Sequence, residues 1–331
     1  MAKSKKAKRF QYRYISDLGE GRTIEELLRQ VLFDTHRTVA DRWEKLGDDP
    51  DAQLHRFINT KRRAEGMVFG TLVLYETGRN REVLTLAEDQ EELEIEQMAA
   101  SKTQDGRPRE FLEATLYFGA SGNHLVLLQT TSLTGRELEN HLRWLIDEEA
   151  QLLEPHERIV IKQGLSAKGT KALKQAKSVC VGAPVFEAST PRSAGGENRS
   201  SQPVRSVVAG RGRQWLESLF GSKELEALKL GQFADAEDLV VEVNIRRVGR
   251  ASDDDQDPAQ RAMEAVSTAL RHQYPDDVEI ETYRMGKVKG DELRLSKSVG
   301  IVHWNNVPDA EDVFHRMQDW LMDCLENGVI T

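Results

Sequence analysis

The clearest hydrophobic pattern in the chain predicts two strands followed by a helix between residues 114 and 144. Two apolar runs, 114–118 and 125–129, flank a cluster of small and polar residues at 119–123, which is typical of a β-hairpin. Thr134 and Glu137 have the spacing of a capping box, and apolar residues then recur at helical intervals, at Leu138, Leu142, Leu145 and Ile146. We expect this unit to bury one sheet face under one helix face and to form the centre of the N-terminal core.

Similar patterns predict further elements along the chain. Period-two alternation and β-rich runs predict strands at 10–15, 67–75, 81–86, 158–162, 239–245, 278–284 and 293–304. Capping residues followed by apolar stripes predict helices after Thr23, Asp257 and Asp309, and the acidic stretch 87–100 is predicted to be helical. We expect 81–86 to pair with 67–75, and residues before Phe10 to form a basic tail. The predicted fold class is α+β, with two α/β-layer domains and mostly antiparallel sheets.

Changes in composition suggest where these domains end. A boundary near Glu154-Pro155 predicts an N-terminal α+β domain over 1–153, and a middle segment follows over 154–235. Within it, residues 187–213 are rich in Ser, Gly, Pro and Arg, so they have little apolar surface to bury and are predicted to be a flexible basic linker. The remaining residues, 236–331, read as a C-terminal domain with the order β-α-β-β-α.

Charged residues are unevenly distributed along the chain, and this distribution indicates which kind of ligand the protein can contact. The 331-residue chain has a formal net charge of −9, which argues against a uniformly basic nucleic-acid binder. However, residues 1–14 have six basic side chains and no acidic one, and residues 161–213 have ten basic side chains against two acidic ones. Such segregation suits a protein that contacts a polyanion with one surface only.

The apolar runs and the cysteines indicate where the protein resides. The longest apolar runs have the length of strands, and the basic N-terminus leads into an aromatic strand rather than an apolar signal segment. The only cysteines, Cys180 and Cys324, lie in apolar patterns typical of buried reduced thiols. A cytoplasmic location is therefore expected.

No arrangement of residues predicts a catalytic or metal site. The segment 164–171 has two glycines in P-loop spacing, but Thr170 precedes Lys171, which is the reverse of the order that a P-loop needs. No pair of His or Cys residues has the spacing of a zinc site. Glu242 and Asn244 beside Arg246 could form part of a magnesium-dependent nuclease, and this alternative stays open. The preferred expectation is a binding protein that is not an enzyme and has no cofactor and no metal.

Basic residues near predicted strand ends are the candidate contacts to phosphate. Arg246, Arg247 and Arg250 follow the strand 239–245, and Lys287 and Lys289 follow the strand 278–284. A second set, the Lys strip, recurs at spacings of three and falls on one side of a helix or loop: Lys168, Lys171, Lys174 and Lys177. Such cations bind phosphates without reading bases. The alternative is that the first set pairs with the acidic residues at 253–257.

The last predicted helix offers a surface for self-association. Met317 and Trp320 lie in its apolar stripe and are the candidate dimerisation residues. A dimeric interaction scaffold with no affinity for DNA is therefore a further alternative.

The order of predicted elements resembles the RexA family of lambdoid phage exclusion proteins. The shared features are an aromatic strand at Tyr12 and Tyr14, a Leu-rich helix followed by Asp34-Thr-His36, a strand led by Gly66, and the hairpin with the helix from Thr134. In the C-terminal part the apolar strand 241–247 runs into basic residues, and Arg316-Met317 begins a similar terminal helix. The chain departs from the family in a longer 187–213 segment and a more acidic overall charge.

This resemblance implies a prophage-encoded cytoplasmic homodimer that binds double-stranded DNA with little sequence preference. It further implies a sensor in superinfection exclusion by abortive infection, which signals to a RexB-like ion channel in the membrane. It also suggests kinship with RdgC-like ring proteins that encircle DNA.

Overall fold

The computed structural model describes residues 3–47, 53–64, 66–84, 95–174, 176–184, 186–188, 207–209, 240–246, 278–282, 284–289 and 292–330. They form helices and a large, mostly antiparallel sheet, which confirms the predicted α+β class. Contacts divide the chain into unit 1, Met1–Gly164 with Arg294–Thr331, and unit 2, Leu165–Leu293.

The described strands and helices are numbered in chain order. The strands are β1 Lys3–Ile15, β2 Glu44–Lys45, β3 Leu54–Ala64, β4 Met67–Glu76, β5 Arg81–Leu84, β6 Ile95–Met98, β7 Leu112–Ser121, β8 His124–Leu128, β9 Ile161–Gln163, β10 Ala176–Pro184, β11 Phe186–Ala188, β12 Val207–Ala209, β13 Val240–Arg246, β14 Val278–Thr282, β15 Gly286–Lys289, β16 Ser296–Trp304 and β17 Val307–Pro308. The α-helices are α1 Ile24–Arg29, α2 Gly135–Arg143, α3 Ala167–Lys174 and α4 Ala310–Glu326. Helices α1 and α2 continue as π-helical turns over Gln30–Thr35 and Trp144–Glu149, and Ala40–Arg42 is a 3₁₀ turn.

Unit 1 is built on one sheet with the strand order β17-β16-β1-β8-β7-β4-β3-β2, and β9 also pairs with β1. One face packs against α1 and α2 through a core that includes Leu28, Leu116 and Leu142. The other face packs against α4 through a second core that includes Phe10 and Phe314. The sheet is therefore buried on both sides by helices that present one apolar face each.

The unit predicted over 114–144 is confirmed. Strands β7 and β8 pair as a hairpin, with Tyr117 opposite Leu128, and Gly122 in the turn has a φ of 54°, which glycine adopts without strain. Thr134 and Glu137 form a capping box at the start of α2. The caps predicted at Thr23 and Asp309 are also present, at the starts of α1 and α4.

Three predictions about secondary structure in unit 1 need correction, and one strand was not predicted. The basic residues before Phe10 are not a tail, because β1 begins at Lys3 and pairs with β16 from Lys3 opposite Trp304 onward. Residues 81–84 pair with β6 and not with β4, and residues 95–98 of the predicted acidic helix form that strand. The strand that was not predicted is β3, which contains the charged run 61–63 and pairs with β4.

Unit 2 contains a four-stranded antiparallel sheet with the order β13-β10-β14-β15, and helix α3 packs on β14. Strands β11 and β12 form a separate pair at the two ends of the predicted linker 187–213. The rest of that linker, and the helix predicted after Asp257, lie outside the described residues.

The final strand and helix belong to unit 1 rather than to a separate domain over 236–331. Strand β16 pairs with β1, and α4 packs on the same sheet. Both candidate dimerisation residues are used in this core: Met317 is fully buried, and the Trp320 ring stacks on Phe10 with centroids 6.1 Å apart. Neither side chain is available at the surface, so dimerisation, which stays a prediction, would need other residues. Among the described residues, no helix is long and apolar enough to cross a membrane.

Candidate nucleic-acid interface

The Lys strip predicted over 168–177 is only partly presented to solvent. Lys168 and Lys171 are exposed on α3, and Lys168 donates a hydrogen bond of 2.7 Å to Glu292. Lys177 lies on the next strand, β10, and donates to Glu281 at 2.9 Å. Lys174 closes α3, and its side chain lies outside the described part. The strip is thus split between a helix and a strand, and two of its ammonium groups face a carboxylate.

The two predicted lysines at 287 and 289 also have carboxylate partners. Both lie on β15 opposite β14, where Glu279 is the register partner of Lys289 and Glu281 that of Lys287. The Glu279 carboxylate accepts from both, at 2.5 Å from Lys287 and 2.7 Å from Lys289. Both lysines therefore pair with an acid of the neighbouring strand. The acids at 253–257, which the alternative named as partners, lie outside the described residues.

These contacts act on the protonation of both partners. Hydrogen bonds from Lys287 and Lys289 lower the pKa of Glu279, and Lys177 lowers the pKa of Glu281 in the same way. The Glu279 carboxylate in turn raises the pKa of Lys287. The two carboxylates of β14 therefore lie beside Lys287 and Lys289 of β15 and Lys177 of β10, which gives a surface of mixed charge rather than a cationic one.

The arginine cluster predicted at the end of the strand 239–245 is mostly outside the described residues. Arg246 is the last residue of β13 and lies opposite Ser178 of β10, whereas Arg247 and Arg250 are not described. The nuclease alternative involved Glu242, which is exposed on β13 and pairs in register with Gly182. In the described parts of the chain, no three His, Cys, Asp or Glu side chains are grouped so as to hold a metal ion.

The described residues place a cationic surface in unit 1 at the N-terminal end of β1. Five basic side chains occur within residues 3–9, and this half of β1 pairs with residues 298–304 of β16. Strand β8 pairs with β1 only from Gln11 to Tyr14, so no described strand borders the other edge of β1 before Gln11. We call residues 3–9 with 298–304 the basic ribbon.

Strand geometry distributes the charges of the basic ribbon over both of its faces. Side chains alternate along a strand, so one face has Lys3, Lys5 and Arg9, and the opposite face has Lys6 and Lys8. The paired segment 298–304 has no acidic residue. Within the described ranges, no carboxylate forms an ion pair with Lys3, Lys5, Lys6 or Lys8. In unit 2, by contrast, Lys168, Lys177, Lys287 and Lys289 each have a carboxylate partner.

Two cross-strand contacts order the end of the basic ribbon. The Lys3 ammonium lies 5.3 Å from the centroid of the Trp304 ring, a cation–π contact. Lys6 donates a hydrogen bond of 2.8 Å to the side chain of Asn306. Asn305 and Asn306 have φ angles of 50° and 70°, as a tight two-residue turn between β16 and β17 requires.

Nearby carboxylates are engaged in the structure of unit 1. Asp309 caps α4 and accepts the Trp304 indole N–H at 3.2 Å. Asp312 accepts the backbone N–H of Val302 at 2.7 Å, and Glu311 pairs with Arg62. These acids therefore stabilise the start of α4 and its junction with the ribbon.

Sequence reasoning noted the charge of residues 1–14 but missed its placement. A run of lysines has no apolar alternation, so only its continuity with the aromatic strand from Phe10 could have indicated a longer strand. No protein-family model matches the sequence, and no curated protein matches it.

Proposed function

We propose that this protein binds double-stranded DNA through its phosphates, with little sequence preference, and that the basic ribbon is its main contact. One observation carries the proposal: five basic side chains lie on one short two-stranded ribbon, and none of its four lysines has an ion-pair partner among the described residues. Lysine ammonium groups are compact charges that bind phosphate oxygens without reading base edges.

The distribution of charge supports an oriented mode of binding. The chain as a whole has a net charge of −9, so the residues outside the basic ribbon are acidic on balance and disfavour contact of a polyanion with most other surfaces. In unit 2, Lys171 is exposed on α3, whereas Lys287 and Lys289 are partly neutralised by Glu279. We assign the predicted contacts of unit 2, together with Arg246, Arg247 and Arg250, a supporting role.

In the cell, we propose that DNA binding is the sensing step of phage superinfection exclusion. This part of the proposal rests on the resemblance to the RexA family. On the same resemblance we propose that the protein is a homodimer and that it signals to a RexB-like channel in the membrane. DNA binding by itself requires neither partner, so it can be tested on the purified chain.

The experiment is a titration of labelled random-sequence duplex DNA by fluorescence anisotropy over a salt series. Each phosphate neutralised contributes about 0.9 to the slope of log K against log salt, so five ribbon cations predict a slope of roughly −4 to −5. Two unrelated sequences of equal length should bind with the same affinity. Absence of binding at low salt would overturn the proposal, and strong preference for one sequence would overturn its phosphate-only mode.

A further inference from the structure

The end of the basic ribbon presents apolar surface beside its cations. Trp304, the last residue of β16, is 39% exposed, and Val307, the first residue of β17, is 63% exposed. The two residues are register partners across the turn at Asn305 and Asn306, so both lie at the same end of the ribbon. Two neighbouring exposed apolar side chains beside a group of cations form a small surface with both an apolar and a charged part.

The geometry points to this end as a wedge that enters a base step of duplex DNA, an inference that rests on the proposed function. Proteins that bend DNA from the minor groove combine phosphate contacts with apolar side chains that separate two stacked base pairs. The basic ribbon supplies the cations and Trp304, and the adjoining strand β17 supplies Val307. An indole ring can stack on any base.

The two cationic faces of the ribbon determine how it would enter a groove. Lys5 on one face and Lys6 on the other can each reach the phosphates of one groove wall when the ribbon enters with its end foremost. The Trp304 and Val307 side chains then lead toward the floor of the groove. Because the cations on its two faces can each contact one of the two DNA strands, the ribbon end suits duplex DNA.

Local contacts hold the Trp304 ring in place for this role. Its indole N–H donates to Asp309, and Lys3 lies against the ring face. The turn is fixed by the positive φ angles of its two asparagines and by the hydrogen bond from Lys6 to Asn306. A preorganised ring loses little conformational freedom when it stacks on a base.

The test uses the whole chain and a DNA duplex with 2-aminopurine at its centre. The fluorescence of 2-aminopurine increases when the base is unstacked. Fluorescent labels at the two ends of the duplex report bending by energy transfer. Wild-type protein should raise the 2-aminopurine fluorescence and shorten the distance between the ends. Trp304→Ala should abolish both signals and weaken binding about tenfold, with no change in the salt slope, because no phosphate contact is lost.

Matched variants separate the wedge from general effects on folding. Trp43→Ala removes a tryptophan of similar exposure, 44%, elsewhere in unit 1, and Val329→Ser is the counterpart of Val307→Ser at 55% exposure. Trp304→Phe should keep most of the unstacking signal, and Val307→Ser should reduce it. The controls Trp43→Ala and Val329→Ser should leave it unchanged.

The outcomes distinguish the two proposals. Binding to DNA without unstacking or bending by the wild type would overturn the wedge and leave the proposed function standing. Absence of DNA binding, with the tip inserting instead into vesicles of phosphatidylserine, would overturn both. Equal losses of signal in Trp304→Ala and Trp43→Ala would also overturn the assignment to the ribbon end.

Discussion

Lys3 and Trp304 are register partners at the ends of two strands separated by about 300 positions in sequence, and the Lys3 ammonium lies over the Trp304 ring at 5.3 Å from its centroid. This contact joins the N-terminal strand to the penultimate strand of the chain. Residues 3–9, which the sequence predicts to be a tail, are therefore held as one strand of the basic ribbon.

A first prediction concerns the lysines of unit 2 that face Glu279. Glu279→Gln would remove the carboxylate that pairs with Lys287 and Lys289. If the basic ribbon is the main contact, DNA affinity should change no more than it does in Glu96→Gln, which neutralises an exposed carboxylate elsewhere. Anisotropy titrations of both variants measure this. A clear gain in affinity for Glu279→Gln alone would move the main site to unit 2.

A second prediction concerns a buried network around Glu44. Its carboxylate accepts from Arg56, at 2.9 and 2.7 Å, and lies 2.7 Å from His141 Nδ1, so it joins the edge strand β2 to β3 and α2. Glu44→Ala should lower the free energy of unfolding by about 3 kcal/mol or more, because it leaves a buried arginine without its carboxylate. Urea unfolding measures the change.

The control for that variant is Glu76→Ala. Glu76 pairs with Arg79 in a half-exposed contact, with the two side chains 46% and 38% exposed. Its loss should cost less than about 1 kcal/mol. Equal effects of the two substitutions would show that the Glu44 network does not stabilise unit 1.

A third prediction is a dependence of stability on pH that arises from His141. Burial lowers its pKa below 6.5, against the opposing effect of Glu44. The unfolded chain therefore takes up a proton near pH 6.5, while the folded chain does so only at lower pH. The stability that neutral His141 contributes is fully present above pH 6.5 and is lost as the pH falls below 6.5. The loss is no more than about 1.4 kcal/mol per pH unit for one proton.

The measurement is the free energy of unfolding between pH 5 and pH 8 for wild type and His141→Gln. The variant should be less stable but should show a shallower dependence on pH. His55 and His124, whose pKa values are also lowered by burial, would retain their own contribution in both proteins. An unchanged slope in the variant would contradict the assignment to His141.

A fourth prediction concerns the close approach of Gly164 to Tyr12. A Cβ atom at Gly164 would lie 2.0 Å from the Tyr12 ring, so Gly164→Ala should destabilise the protein by roughly 1–3 kcal/mol through overpacking. The cost should largely vanish in a Tyr12→Ala background, as a double-mutant cycle would show. Gly135→Ala is the control, since its nearest contact at 3.4 Å is ordinary and a first-turn alanine favours the helix. A cost that persists without the Tyr12 ring would rule out the ring as its cause.

Local signals in the sequence were sufficient to predict the helices that begin at a capping residue and the turn of the hairpin. Thr23, Thr134 and Asp309 begin helices as expected, and the hairpin around Gly122 is where its small residues indicate. In each case the decisive interactions are made within a few residues. The α+β class followed from the same patterns.

The arrangement of strands and the candidate interface depend on contacts that no local pattern contains. Strand β1 lies between β8 and β16, and only that long-range pairing shows that residues 3–9 are extended and have charges on both faces. The charged residues 61–63 interrupt the alternation expected of a strand, so the sequence pattern does not predict the end of β3. The pairing of Lys287 and Lys289 with Glu279 likewise follows from the β14–β15 register and not from sequence proximity.

The salt dependence of DNA binding in two double variants decides whether the basic ribbon is the DNA contact. Lys5→Gln with Lys6→Gln removes one cation from each face of the basic ribbon, and Lys287→Gln with Lys289→Gln removes the same charge from unit 2. We predict that the first pair makes the slope less steep by about 2 and weakens binding to all duplexes alike, while the second pair changes it little. The reverse result, a loss confined to the unit 2 pair, would contradict the assignment of the ribbon as the DNA contact.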